Sequence, residues 1–321
     1  MKIVLRSLCL SLAALTLIQC KKDDETPTIQ LRDRQEVFDE NNLKVEDFLK
    51  KHKLVIGENN QSSFSSVEEG SSESIWNQTL YPLQSVILKN DTRLNNTPSG
   101  RIDDDVAYKV YYLIINEGGG EVVKSYDDLY TSFVGYNMDL ELFDREDVGF
   151  WSSFPNQGNA IYGEVLSGYR QITTLVKTAE SIVVNSDGTY TAVNPGRIIA
   201  FIPSGLGYFN TSQTKLLAYQ PSIFDITLLS NKEIDHDGDG ILTKYEDLNG
   251  NGDPFDDDTD GDGRPDFLDV DDDADGTLTR TEISYTTTDS EGNEVTLLYD
   301  FEDIPTCAGG TVKKHLDASC Q

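Results

Sequence analysis

One stretch constrains this chain more than any other. Residues 235–282 carry 18 acidic side chains against three basic ones. A run so charged has little apolar surface to bury and would ordinarily stay extended and solvated. Its spacing argues otherwise. Asp235, Asp237, Asp239, Gly240, Ile241, Thr243 and Glu246 fall on the first, third, fifth, sixth, seventh, ninth and twelfth positions of a calcium loop. Asp271, Asp273, Asp275, Gly276, Thr277, Thr279 and Glu282 repeat the pattern. Between them stand Asp247-x-Asn249-x-Asn251-Gly252 and Asp258-x-Asp260-x-Asp262-Gly263, whose twelfth residues are Asp258 and Asp269. Calcium takes six to eight oxygens at roughly 2.3–2.6 Å, and the glycine at the sixth position makes the sharp turn. A random acidic tail has no reason to place glycines in this way. Roughly two to four structural Ca2+ ions are expected, in a segment (231–284) with little regular structure.

Asp258 closes one loop and opens the next. This sharing resembles thrombospondin type 3 repeats, in which chain wraps around several ions with little core of its own. The first loop follows a strand pattern rather than a helix, which argues against a paired helix-loop-helix sensor.

The whole chain has 26 basic and 56 acidic residues, a net charge of −30. That balance argues against nucleic-acid partners, which need basic patches. Residues 1–19 read as a signal peptide: Lys2 and Arg6 supply the charged start, and Leu8 to Ile18 the apolar run. Leu17-Ile-Gln-Cys20 resembles a bacterial lipobox, which implies lipidation of Cys20, a tether over 20–40 and attachment to the membrane through lipid. Lys21-Lys-Asp-Asp-Glu25 resembles the signals that send lipoproteins of the Bacteroidetes to the cell surface; a plain solvated tether is the other reading. The expected location is the outer membrane, facing the periplasm or the exterior. Cys307 and Cys320 remain for a disulfide, which would close a loop worth about 3 kcal/mol in the chain-entropy model.

Between tether and acidic segment, Asn42 is expected to cap a short helix with Val45, Phe48, Leu49 and His52 on one face. Gly57 to Ser74 reads as a loop, and residues 41–100 carry no functional signal. Val106 to Ile115, Tyr130 to Tyr136, Ile199 to Ile202 and Ile223 to Leu229 read as strands. Phe150 to Phe154 reads as an aromatic loop, and Val165, Leu166, Tyr169, Ile172 and Val176 as a short amphipathic helix. Asn185 to Thr189 is a hairpin turn. Few helices and mostly antiparallel strands give an α+β class. Residues 285–321 are expected to form a hairpin and the disulfide loop.

Residues 101–230 resemble the FKBP-type peptidyl-prolyl cis-trans isomerases. The family's Tyr-x-Gly falls on Phe133-Val134-Gly135, and its Phe-Asp on Phe143-Asp144 eight residues after that glycine. Val-Ile-x-Gly-Trp falls on Val165-Leu166-Ser167-Gly168-Tyr169, and Ile-Pro-Ser-x-Leu-x-Tyr on Ile202 to Tyr208. The last strand supplies Phe224, with Leu216 eight residues before it. The resemblance implies an antiparallel sheet curled around one short helix, no catalytic cofactor, and proline-containing polypeptides as substrates.

It also implies roles. Tyr169 would floor a pocket walled by Phe143, Phe224, Val165 and Leu166, and Phe133 and Leu216 occupy two further matched positions of the site. Tyr208 and the Leu166 N–H would donate to substrate carbonyls, and Asp144 would stand at the rim. Two residues depart from the family: tyrosine replaces the tryptophan floor at 169, and phenylalanine replaces tyrosine at 133. These departures favour a rival reading, a non-catalytic FKBP-like module that binds peptides at the end of a calcium-stiffened stalk. A hydrolase finds no support, since Gly-x-Ser-x-Gly is absent. The three histidines are scattered and form no zinc pattern.

Overall fold

Two strands, β9 (Gly196–Ile202) and β10 (Ser222–Lys232), explain why the rest of the chain lies where it does. Every residue of β9 is buried, so both of its faces must be covered. Its side chains alternate between two apolar clusters: Ile198, Ala200 and Ile202 enter one, Ile199 and Phe201 the other. Strand β10 pairs antiparallel with it, with Phe224, Ile226 and Leu228 on the first face and Ile223 on the second.

The computed structural model describes residues 31–58, 61–93, 104–155 and 165–320. The chain divides into two units, Met1–Arg32 and Asp33–Gln321; only Leu31 and Arg32 of the first are described. The expected signal peptide, the lipobox with Cys20 and the motif at 21–25 lie outside the described residues. Among the described residues no helix is long and apolar enough to cross a membrane.

In the second unit, β9 and β10 are the centre of a six-stranded antiparallel sheet. Its other members are β3 (Gln84–Leu88), β4 (Tyr108–Asn116), β5 (Asp128–Asn137) and β6 (Leu142–Ser152), in the order β3-β4-β9-β10-β5-β6. With few helices beside it, this is the expected α+β class. The first face is covered by α2 (Ser167–Thr173), through Tyr169 and Ile172 and the following Val176. Gly168 lets α2 approach: a Cβ there would stand 2.8 Å from Ile202 Cγ2.

The second face is covered as well. Helix α1 (Arg34–Lys51) lays Val45, Phe48 and Leu49 on it, beside Ile75. Each such side chain stabilises the packing by about 1.5–3 kcal/mol. The sheet therefore carries a helix on each side, where the resemblance set one short helix against it and left the helix at Asn42 in a separate region. Helix α1 also begins earlier than expected: Asp33 is its cap, accepting from the Glu36 N–H at 2.9 Å, and Asn42 lies inside it.

Two further expectations change. Part of the stretch 57–74 is strand, because β2 (Ser62–Ser66) pairs with β1 (His52–Ile56) and tucks Phe64 against Phe48. Serine-rich composition hid it, since tertiary pairing and not propensity makes this strand. Phe150 and Trp151 are not in a loop; they end β6, opposite Thr131 and Tyr130. Asp225 of β10 is 6% exposed and bonded by Arg197 at 2.8 and 2.6 Å and by the Ser62 hydroxyl.

The hairpin of β7 (Ser181–Val184) and β8 (Tyr190–Val193) follows α2. Beyond β10 the acidic segment has short 3-10 turns and one helical turn, α3 (Thr279–Glu282). The hairpin of β11 (Ser284–Thr288) and β12 (Glu294–Leu298) comes next. Cys307 and Cys320 form the expected disulfide.

Candidate functional site

Phe224 sits where three aromatic rings meet. Phe133 of β5, Phe143 of β6 and Tyr169 of α2 lie with ring centroids 5.6, 5.5 and 5.5 Å from its own, the last two edge-to-face. Three separate elements thus fix one ring. In front of it opens a cavity of about 310 Å3, lined by Phe133, Val165, Leu166, Tyr169, Tyr208 and Phe224, with Asp144 at its edge. Seven of the nine expected pocket residues therefore come together. Phe143 and Leu216 do not line the cavity; both belong to the core behind it, and Phe143 braces Phe224 and Tyr208.

Gly135 makes room for that brace, since a Cβ there would lie 2.8 Å from the Phe143 ring. Three lining residues were not anticipated: Arg145, Glu146 and Phe150. They follow from β6 being a strand to its end, which brings Phe150 to 5.9 Å from the Phe133 ring. A second, more polar cleft of about 250 Å3 includes Ser62, Arg197 and Asp225. Its buried charges already satisfy one another.

The polar groups of the apolar pocket divide into used and free. The Tyr169 hydroxyl is spent inside the protein, donating to Thr131 Oγ1 at 2.9 Å, and burial pushes its pKa far above the usual phenol value. Tyr208 differs: among the described residues its hydroxyl has no hydrogen-bond partner. Burial first, and then the Asp144 charge, raise its pKa, so it remains a neutral donor. No acceptor among the described residues meets the Leu166 N–H, at the start of α2. Asp144 is exposed, and its Oδ1 accepts from the Arg145 N–H at 2.8 Å.

The turn that presents Tyr208 is held by a residue outside every pocket motif. Asn41, wholly buried in α1, accepts from the Ser204 N–H at 2.7 Å and donates to the Tyr219 carbonyl at 2.9 Å. An asparagine on the apolar face of a helix is the one local hint; its partners lie far along the chain.

The acidic segment is built from a repeated clasp. In three loops the N–H of the ninth position donates to the carbonyl just before the first: Thr243 to Ile234, Asp266 to Asp257, and Thr279 to Val270. The ninth side chain also reaches the second residue, as Thr243 does to His236, Asp266 to Thr259, and Thr279 to the Asp272 N–H. Within each loop the carboxylates turn one edge to backbone N–H groups. Asp235 accepts from Gly238 and Gly240, Asp237 from Asp239, and Asp239 from Ile241. Asp258, Asp260 and Asp262 repeat this in the exposed third loop. Asp269 accepts from the Asp271 N–H.

The other edges point inward. Oxygens of Asp237, Asp239 and Glu246, and of Asp271, Asp273, Asp275 and Glu282, are buried without any hydrogen-bond partner. Asp235, Asp237 and Asp239 bring ligand oxygens within 4.8 Å of one another; so do Asp258, Asp260 and Asp262, and Asp271, Asp273 and Asp275. Without a cation, burial and mutual repulsion push Asp237 up to about 8, Asp239 to about 6 and Glu282 to about 7. These donors, all oxygen, fit a hard divalent cation. Ile241 and Thr277 stand at the seventh positions, where a backbone carbonyl serves. In the second loop Asp247 accepts from Gly252, while the Asn249 and Asn251 amides donate to Asp256 and Asp257, neither of which was anticipated.

Comparisons with known proteins fall on these two regions. The family model described as BamM C-terminal matches residues 236–314. That is the segment whose spacing resembles thrombospondin type 3 repeats, and the match is to a different family. None of the curated proteins compared matches the chain. Part of the chain is similar to solved structures of peptidyl-prolyl isomerase type. One is a peptidyl-prolyl cis-trans isomerase from Pseudomonas syringae pv. tomato, at 17% identity over 39% of this chain and 76% of that one, with a TM-score of 0.29. FkpA from Escherichia coli shows 19% identity over 38% of this chain and 48% of its own, at 0.29. The N-terminal domain of FKBP42 from Arabidopsis thaliana shows 13% identity over 42% and 97%, also at 0.29.

Proposed function

We propose that this chain binds proline-containing segments of other proteins in the aromatic pocket and isomerises their X-Pro bonds, as an FKBP-type prolyl isomerase. The free Tyr208 hydroxyl beside a dry aromatic wall carries this reading. Rotation about the prolyl bond is opposed by amide resonance, with a barrier of roughly 20 kcal/mol. The planar amide, being the more polar form, loses more on leaving water than the twisted one. A pocket of Phe133, Tyr169 and Phe224 therefore favours the twisted form without a nucleophile. Tyr208 and the Leu166 N–H would hold carbonyls flanking the proline, which fixes one part of the chain while the other turns.

A second reading, peptide binding without turnover, is favoured by two observations. The Tyr169 floor has its hydroxyl committed to Thr131, and Asp144 stands exposed at the rim, bonded to the neighbouring N–H rather than held by residue 133. A prolyl-peptide isomerisation assay on the mature chain decides between them, with Phe224→Ala and Tyr208→Phe as comparisons. Acceleration that falls at least tenfold in both variants supports the isomerase. Peptide binding with only the uncatalysed rate establishes the binding module.

The acidic segment is proposed to be ordered by calcium through the loops headed by Asp235, Asp247, Asp258 and Asp271. The chain is further proposed to be a lipoprotein of the outer membrane, anchored through Cys20. Calorimetry with calcium tests the first, and a Cys20→Ser chain recovered in the soluble fraction tests the second.

A further inference from the structure

Asp272 belongs to no loop pattern, since it occupies the second position of the last loop. It is nonetheless 3% exposed, and its Oδ1 has no hydrogen-bond partner. Its carboxylate does not face its own loop. It lies with oxygens of Asp239 and Glu246 in one cluster, all within 4.8 Å of one another. Glu246 is 2% exposed, and both of its oxygens lack partners.

We infer that Asp239, Glu246 and Asp272 form a calcium position that joins the first loop to the last, with Asp272 as a ligand supplied across the fold. The inference rests on the calcium reading above and goes beyond the loop pattern, which closes the first loop from its own residues alone. Buried, unpartnered carboxylates brought together from distant parts of a chain are tolerated where a cation or a proton neutralises them, and the calcium-loop donors around these three favour the cation. Among the described residues no basic side chain forms an ion pair with these carboxylates; the Arg280 charge is felt at Asp239, but its Nη1 donates to the Gly238 carbonyl at 3.3 Å.

Packing keeps the two loops in register. Ile241 of the first loop is buried with Ile283, which follows the last loop, and with Ile304 beyond the hairpin. Gly240 completes the fit, because a Cβ there would stand 2.6 Å from Leu298 Cδ1. An ion held by Asp272 would thus fasten the start of the segment to its end. The segment would then gain order as one body instead of loop by loop.

The test is a calcium titration of the chelator-treated mature chain by calorimetry, comparing wild type with Asp272→Asn and with Asp260→Asn in the exposed third loop. Asp272→Asn keeps the shape of the side chain and is expected to weaken one ion at least tenfold. Asp260→Asn is expected to leave that ion unchanged. Hydrogen exchange on the wild-type chain supplies a readout that needs no variant: amides of 239–246 and 270–273 should gain protection at the same calcium concentration. A wild type that binds no calcium would overturn the calcium reading itself. A wild type that binds, with an unaltered isotherm in Asp272→Asn or with the two stretches protected at separate concentrations, would overturn the cross-loop ligand alone.

Discussion

Removing the Tyr169 hydroxyl tests whether the floor of the pocket is fixed as the structure has it. Tyr169 is 3% exposed and Thr131 is wholly buried, and their hydroxyls meet at 2.9 Å. A made hydrogen bond contributes about 1 kcal/mol net, but a buried partner left alone costs about 1–3 kcal/mol. Tyr169→Phe strands the Thr131 hydroxyl, so a loss of about 2 kcal/mol is expected. Thr131→Val strands the phenol and should lose a similar amount, about 2 kcal/mol. The double variant removes both polar groups and keeps their shapes, so its loss should be under about 1 kcal/mol. The expected coupling is therefore about 3–4 kcal/mol, several times the departure from additivity shown by independent sites. Urea denaturation of the four chains in saturating calcium measures it. The hydroxyl points away from the cavity, so prolyl-peptide affinity should be the same in Tyr169→Phe and wild type. Additive losses, or a Tyr169→Phe chain as stable as wild type, would refute the buried pair.

Three other outcomes are expected. Gly205→Ala places a Cβ 2.2 Å from the hydroxyl of the wholly buried Tyr108, and should destabilise by about 1–3 kcal/mol or more, read as a lower urea midpoint. Asp91 is partly buried, which raises its pKa, but Arg93 and Arg170 outweigh that and hold it below the usual carboxylate range. A lowered folded pKa contributes stability above the unfolded value of about 3.9, lost as pH falls through the folded one. Asp91→Asn should accordingly lose about 3 kcal/mol at neutral pH and show a shallower loss of stability below about pH 4, by thermal melts across pH. Cys307→Ser with Cys320→Ser should lose no more than about 3 kcal/mol, and hydrogen exchange should place the loosening at 305–320 with the pocket unchanged.

The order of the pocket motifs was legible because each is local. Val165 to Tyr169 is one turn and the start of one helix, and Ile202 to Tyr208 is one strand end and its turn. Which of these residues face the cavity was not legible. Phe143 and Leu216 are as apolar as Phe133 and Phe224, but the pairing of β5 and β6 puts Phe143 behind the wall, and Leu216, in the loop before β10, is buried in the same core. The same limit hid β2, whose serines form a strand only because β1 is there to pair with them.

What the sequence determined by itself was spacing, and spacing governs whatever a dozen residues can do alone. Aspartates at alternate positions with glycine at the sixth turn their carboxylates onto the loop's own N–H groups, and Gly240 at φ 110° takes a conformation other residues avoid. The unbroken apolar run Ile198 to Ile202 likewise demanded two covered faces, though not what covers them. The tertiary structure alone decided that α1 lies on the second face, that Asn41 holds the Tyr208 turn, and that Asp272 meets Asp239 and Glu246. Each of these joins residues far apart along the chain. Such contacts depend on how packed elements return to one another, and no local pattern records that return.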